Sequence, residues 1–105
     1  MLSILMLNNR KILILNEIDN IAVCLVDMEV GEVISQDSLN LTIQNPIPRG
    51  HKVATKAIAK DDGIIKYGER MGHATSEIRI GEHVHTHNVL GDRLSTEQVN
   101  LEQEN

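Results

Sequence analysis

The hydrophobic residues of this chain occur in short runs separated by glycine, proline, asparagine and aspartate, a pattern typical of small β-rich domains. Residues 11–15 (KILIL) form an apolar run of strand length, and residues 39–44 (LNLTIQ) alternate as a half-buried strand does. Residues 64–69 (IIKYGE) predict a strand ending in a turn, whereas residues 45–50 (NPIPRG) interrupt regular structure. We therefore predict a compact, mainly β fold.

One segment follows a longer period. Asp19 is a residue type that caps helices. The apolar residues after it recur at helical spacing, at Ile21, Cys24, Leu25 and Met28. This spacing predicts one short helix over residues 20–27.

A seven-residue unit occurs three times, at residues 28–34, 58–64 and 78–84. Each copy reads aliphatic residue, two further residues, a turn position, an acid, one residue and an aliphatic residue. Glycine fills the turn position twice and Asp61 fills it once, and aspartate tolerates left-handed backbone better than most residues. The unit predicts a repeated turn that returns the chain to a β core.

Length and cysteine content favour one domain in a reducing compartment. A chain of 105 residues can bury a core without disulfides or a structural metal. Its single cysteine, Cys24, lies in an apolar stretch, which favours a core position over a nucleophile and excludes an internal disulfide. We therefore expect a cytoplasmic location.

Composition excludes several partners. The net charge is −5 and Tyr67 is the only aromatic residue, so neither the overall field nor stacking favours nucleic acid. The apolar residues 1–7 are too short to span a membrane. Charge is uneven, since residues 49–60 carry four basic residues and no acid, and residues 91–105 carry four acids and one arginine.

The sequence GEHVHTHN at residues 81–88 holds three of the five histidines. On a strand, alternation would place His83, His85 and His87 on one face, where they could exchange protons or bind metal. In a straight strand His83 and His87 would lie roughly 13 Å apart, too far to share one ion. Neighbouring histidines could share an ion if the strand bends. Ligands from another chain could also complete a site. The alternative is a solvated histidine face without a ligand.

Three further polar residues are candidates for binding. His51 and Lys52 follow the turn at residues 46–50 and form a cationic pair that suits a carboxylate. A solvated lysine beside a histidine that caps the turn is the alternative. Asn88 could orient His87 or donate a hydrogen bond to a substrate oxygen.

Five segments taken together resemble one protein family. In chain order they are DNIAV (residues 19–23), IPRGHKVA (47–54), IKYGE (65–69), MGHAT (71–75) and GEHVHTHN (81–88). Over roughly residues 11–90 the chain resembles the N-terminal SAF (antifreeze-like) domain of the altronate and galactarate dehydratases. It is similar in the same segments to the small subunit of the related sulfolactate sulfo-lyases. Asp61 and Cys24 depart from the small residues that the family has at their positions.

The resemblance implies a β-clip fold and elimination chemistry on hydroxy acids. It also implies a much larger catalytic part, fused or separate, that holds a divalent metal, iron or manganese. The chain is thus predicted to be the small SAF-domain subunit of a sugar-acid dehydratase and to be inactive alone. Residues 1–10 would form a leader or first strand, residues 11–90 the SAF-like domain, and residues 91–105 a polar, acidic tail.

The resemblance also implies roles for the polar residues. The candidate catalytic residues, at the junction with the large subunit, are His83, His85 and His87. The candidate substrate-binding residues are His51, Lys52 and Asn88. Whether this chain supplies metal ligands stays open, and so does whether it forms a homo-oligomer. Two other functions stay open: the small subunit of a sulfolactate sulfo-lyase, and a non-catalytic module that assembles the large subunit or binds a sugar acid.

Overall fold

The computed structural model describes residues 10–92 as a set of short strands joined by turns. The strands are β1 (Ile12–Leu13), β2 (Ile21–Cys24), β3 (Val33–Gln36), β4 (Leu39–Thr42), β5 (Lys52–Ala54), β6 (Gly63–Lys66), β7 (Glu69–Ala74), β8 (His83–Val84) and β9 (Val89–Leu90). Residues 10–92 contain no helix, and so none that is long and apolar enough to cross a membrane. The predicted mainly β fold is confirmed.

The strands form three antiparallel sheets. A four-stranded sheet has the order β1-β2-β5-β8, a hairpin pairs β3 with β4, and a three-stranded sheet has the order β6-β7-β9. In the four-stranded sheet β5 pairs with β2 on one side and with β8 on the other, so that Val53 lies opposite both Ala22 and His83. Strand β5 therefore joins segments that are distant in sequence.

Two hydrophobic clusters cover the two faces of this sheet. The first contains Ile12, Ala22, Cys24, Met28, Ile34, Leu41, Ile43, Ile47 and Val53. The second contains Ile21, Ala54, Ile58, Ile64, Ala74, Ile78 and Val84. Because successive side chains of a strand point to opposite faces, the neighbours Val53 and Ala54 belong to different clusters. Each fully buried isoleucine in them contributes about 1.5–3 kcal/mol to stability.

The predicted helix over residues 20–27 is wrong, because Ile21–Cys24 form strand β2. Both faces of β2 are covered, so Ile21, Ala22 and Cys24 are all buried and the strand shows no alternation. Asp19 does not cap a helix. Its buried side chain accepts a hydrogen bond from the backbone N–H of Gly68 at 2.8 Å.

The other sequence predictions of strands are confirmed in shorter form. Strand β1 lies within residues 11–15, β4 within 39–44, and β6 overlaps 64–69. Cys24 is fully buried in the first cluster, as predicted, and burial raises the pKa of its thiol to about 12. The predicted leader and tail fall almost wholly on residues 1–9 and 93–105, which lie outside the described residues.

The repeated turn is confirmed, and the described residues contain a fourth such turn at residues 47–53, which the sequence analysis missed because His51 replaces the acid of the unit. The turn positions Gly31, Gly50, Asp61 and Gly81 all have positive φ, with 74° at Asp61. The aliphatic residues that open the copies pair across the structure, Met28 with Ile47 and Ile58 with Ile78. The copies therefore form two pairs, and the copies at residues 47–53 and 78–84 place His51 just before β5 and His83 at the start of β8.

Candidate functional site

The three clustered histidines lie on a turn and not on one strand. Strand β8 ends at Val84, and the chain bends back over residues 85–88. The predicted histidine strand is therefore wrong beyond Val84. The turn brings the ring centroids of His83 and His87 to 5.1 Å, far closer than in a straight strand. The rings of His83 and His85 are 5.6 Å apart and nearly parallel, so the three histidines do share one surface.

Asn88 builds this turn. Its side-chain Oδ1 accepts a hydrogen bond from the backbone N–H of His85 at 2.9 Å. Its Nδ2 donates to the backbone carbonyl of His83 at 2.9 Å. The side chain is buried, and the backbone N–H of Asn88 donates to the carbonyl of His85 at 3.1 Å. The geometry thus gives Asn88 a positioning role, and its predicted contact with substrate stays a prediction.

We expect Asn88→Asp to lower the free energy of unfolding by about 1–3 kcal/mol, because the carboxylate cannot donate to the carbonyl of His83 and leaves that acceptor unpaired. Chemical denaturation measures the change. The matched control is Asn40→Asp on β4, where the side chain is exposed and the expected change is within about 0.5 kcal/mol. Equal losses in the two variants would contradict the positioning role.

A fourth ring reaches the histidine surface from the neighbouring strand. Strands β5 and β8 pair Lys52 with Val84 and Val53 with His83, and continuing this register places His51 opposite His85. The ring centroids of His51 and His85 are 4.0 Å apart with a 17° interplanar angle. Nδ1 of His51 lies 2.9 Å from Nε2 of His83, so one of these nitrogens donates a hydrogen bond to the other. We call His51, His83, His85 and His87 the histidine cluster.

The crowding of rings changes their proton affinity. Partial burial is the largest cause that lowers the pKa of His83, followed by the neighbouring charges of His87, His51 and His85. Burial also lowers the pKa of His85, followed by the charges of His51 and Lys52. Both rings therefore favour the neutral form near pH 7, which leaves a nitrogen lone pair free to take a proton or bind a metal.

An open groove of about 370 Å³ adjoins the cluster on one side, and Lys52, Lys66, His85 and Thr86 contribute polar groups to it. Its floor is apolar and is formed in part by Ile21 and Ile64. A lining that combines two lysines with apolar side chains suits an anion with a short carbon skeleton. Sequence reasoning missed Lys66, because Lys66 and Lys52 belong to different sheets and only the packing of the folded chain brings them to one groove.

A second groove, of about 540 Å³, lies beside His83 and His87 and is lined by Glu77 and Glu82. The histidine cluster thus contributes to a lysine-lined groove and to an acidic one. The predicted cationic pair of His51 and Lys52 does not line one groove together. Lys52 lines the first groove, whereas the ring of His51 stacks on that of His85.

The fifth histidine lies elsewhere. Nδ1 of His73 on β7 is 3.0 Å from Oδ1 of Asp92, and Oδ2 of Asp92 accepts a hydrogen bond from Nε of Arg70 at 2.7 Å. Arg70 and His73 together hold the pKa of Asp92 below its usual value. His73 therefore belongs to this exposed network and not to the histidine cluster, so its substitution can serve as a control for substitutions in the cluster.

Comparison with known proteins places the chain in a family. The family model for the altronate/galactarate dehydratase SAF domain matches residues 10–92. The chain belongs to this SAF-domain family. The SAF domain therefore comprises the described strands, the histidine cluster and both grooves.

The SAF domain is similar to parts of larger enzymes and to most of smaller subunits. It is 41% identical over 70 residues to altronate dehydratase of Bacillus subtilis (strain 168) and 42% identical over 74 residues to that of Escherichia coli (strain K12). These matches cover 67% and 70% of this chain but only 14% and 15% of the relatives. It is also 44% identical over 67 residues, 63% of this chain, to (2R)-sulfolactate sulfo-lyase subunit alpha of Chromohalobacter salexigens, covering 71% of that subunit.

Proposed function

We propose that this SAF domain is the small part of a two-part hydroxy-acid lyase and that it contributes the histidine cluster to an active site shared with a larger partner. The favoured reaction is dehydration of a sugar acid of the altronate or galactarate type. The observation that carries the proposal is the juxtaposition of neutral histidines with a groove lined by two lysines, in a domain of this family.

The groove supports recognition of a hydroxy acid. A carboxylate would pair with Lys52 or Lys66, and the carbon skeleton would lie on the apolar floor. Both lysines are needed only if the substrate carries two anionic groups. Galactarate is a diacid, whereas altronate carries one carboxylate, so the two lysines favour the diacid.

The histidines support proton transfer in the elimination. Dehydration removes the proton on the carbon beside the carboxylate, and the C–H electron pair forms a double bond as the neighbouring C–O bond breaks. A neutral imidazole at the groove, such as His85, would take that proton, and a protonated neighbour in the cluster would give one to the departing hydroxyl. A divalent metal, iron or manganese, held by the larger partner would stabilise the enolate that develops.

The openness of both grooves and the relatives support a partner. A site that excludes water strengthens electrostatic catalysis, and these grooves lie open at the surface of the described residues. In altronate dehydratases the matching segment is a small fraction of the protein, whereas it makes up 71% and 87% of two sulfolactate sulfo-lyase alpha subunits. The matches to the two alpha subunits support a role for this domain as a separate subunit.

Elimination of sulfite from sulfolactate is a second candidate function. The identity to the alpha subunits, 44% and 45%, is as high as to the dehydratases. Sulfolactate carries a carboxylate and a sulfonate, and the two lysines of the groove would match these two charges. In this reaction the C–S bond breaks in place of the C–O bond, and the histidines keep the same role.

Reconstitution tests the proposal. The chain would be purified with the protein that binds it in its native cell, and the complex and its separate parts would be assayed with altronate, galactarate and sulfolactate. We expect turnover of one substrate by the complex and none by this chain alone. Turnover by this chain alone would contradict the proposal. Full activity of the partner alone would also contradict it and would indicate that this chain is a non-catalytic assembly module.

A further inference from the structure

Three histidines of the cluster have the geometry of a metal-binding set. One ring nitrogen from each of His51, His83 and His85 lies within 4.8 Å of the other two. We propose that these three side chains bind one divalent transition-metal ion within this domain. The inference goes beyond the proposed function and alters it in one respect, because a neutral imidazole whose lone pair binds an ion cannot also take a proton. With an ion bound, His87 would be the histidine of the cluster left for proton transfer. The inference is testable on this chain alone.

The rings are close enough to share an ion but must rotate to do so, because the stacked planes of His51, His83 and His85 differ by only 9–24° and their lone pairs do not converge. A tetrahedral ion with metal–nitrogen bonds of about 2.1 Å holds its ligand nitrogens about 3.4 Å apart. Nδ1 of His51 and Nε2 of His83 are already 2.9 Å apart. In the metal-free protein one of these nitrogens must carry a proton to hydrogen-bond the other. An ion between them would replace that hydrogen bond, with the protonated ring changing tautomer.

Backbone hydrogen bonds hold the three ligands in place before an ion arrives. The N–H of His51 donates to Pro48 at 3.0 Å, and its carbonyl accepts from Cys24 at 2.8 Å. The N–H of His83 donates to the side chain of Asn45 at 3.0 Å. The contacts of Asn88 described above fix His83 and His85 relative to each other. Because only side-chain torsions must adjust, binding would cost little conformational entropy.

The donor set indicates the class of ion. Imidazole nitrogen suits zinc, iron, cobalt, nickel and copper, whereas magnesium and calcium prefer oxygen ligands. The ring of His87 lies 5.1 Å from that of His83, tilted by 40°, and is outside the three-ligand set. Three protein ligands leave the fourth position of a tetrahedral ion open. His85 also lines the lysine-lined groove, so a hydroxyl or carboxylate oxygen in that groove could fill the position.

Metal titration of the full chain tests the inference. Cobalt(II) chloride would be followed by visible absorption, and zinc and magnesium salts by calorimetry. We expect one cobalt per chain with the intense visible bands of tetrahedral coordination, displacement by zinc, and no response to magnesium. Zinc should also raise the melting temperature, because an ion that binds only the folded chain stabilises it.

Single glutamine variants assign the ligands. Loss of an outer-sphere partner lowers metal affinity about 10–100-fold, so His51→Gln, His83→Gln and His85→Gln should each lower zinc affinity by at least about 100-fold. The matched controls are His73→Gln, in the network with Asp92, and His87→Gln, and both should keep affinity within a few-fold.

Two outcomes would overturn the site. One is the absence of stoichiometric cobalt or zinc binding by the wild-type chain. The other is equal affinity in His51→Gln and His73→Gln. If a ligand variant does not fold, nitrogen NMR of the wild-type imidazoles identifies the ligands instead. Zinc must then shift the signals of three rings and leave that of His73 unchanged. These readouts need no substrate or partner, so their failure is distinct from failure of the lyase proposal.

Discussion

Replacing His83 with glutamine is expected to lower turnover of the assembled lyase by at least about 100-fold while the domain stays folded. His83 is the ring in contact with the most cluster members, since it lies within 5.1 Å of the rings of His51 and His87 and 5.6 Å from that of His85. A group that supplies proton transfer contributes 10²- to 10⁴-fold in rate, or about 3–5 kcal/mol. A partly exposed histidine that buries little apolar area changes stability by only about 0.5–1 kcal/mol when replaced.

These magnitudes separate a catalytic from a structural role. The variant would be compared with wild type by kcat, melting temperature and affinity for the partner, with His73→Gln as the control expected to leave all three unchanged. A near-normal rate in His83→Gln, together with near-normal rates in the glutamine variants of His85 and His87, would remove the cluster from the active site. The domain would then be an assembly or binding module.

Gly81→Ala is expected to lower the free energy of unfolding by at least about 3 kcal/mol, a large part of the 5–15 kcal/mol typical of a small domain. Gly81 has a φ of 90°, and a Cβ at this position would collide with the carbonyl oxygen of Thr42. The backbone cannot retreat freely. The N–H of Gly81 donates to Ala54 at 2.8 Å, and its carbonyl accepts from Gln44 at 2.8 Å. Relief of the clash must weaken these hydrogen bonds, each worth about 1 kcal/mol or more.

Gly31→Ala is the matched control for this clash. Gly31 occupies the same turn position with a φ of 89°, and no heavy atom lies within 4 Å of a built Cβ. Its alanine variant carries the left-handed strain alone, about 1 kcal/mol. Urea denaturation of both variants gives the difference. Similar losses at the two positions would show that close packing at Gly81 contributes nothing.

Local sequence patterns were sufficient for the fold class but not for every element. Turn residues and short aliphatic runs predict β structure because strands and tight turns depend on near neighbours, and the left-handed Asp61 follows from such a pattern. The helix prediction failed at Ile21–Cys24, because that strand is buried on both faces and its apolar residues follow no period of two. Coverage of the second face comes from residues far along the chain.

The same limit applies to the site. The spacing of His83, His85 and His87 predicted a shared histidine surface, although the surface arises from a turn held by Asn88 and not from strand alternation. The approach of His51 could not be predicted from spacing, because it depends on the pairing of β5 with β8 across 32 residues.

The sharing of strands β2 and β5 between two hydrophobic clusters couples the two halves of the domain. Val53 packs in one cluster and Ala54 in the other, so neither cluster can open without exposing the strand that supports the second. Loss of packing on either side therefore propagates through the sheet, and the domain behaves as one cooperative unit. Binding energy gained by an ion or a partner at the histidine turn is consequently spread over the whole domain, including the hairpin of β3 and β4.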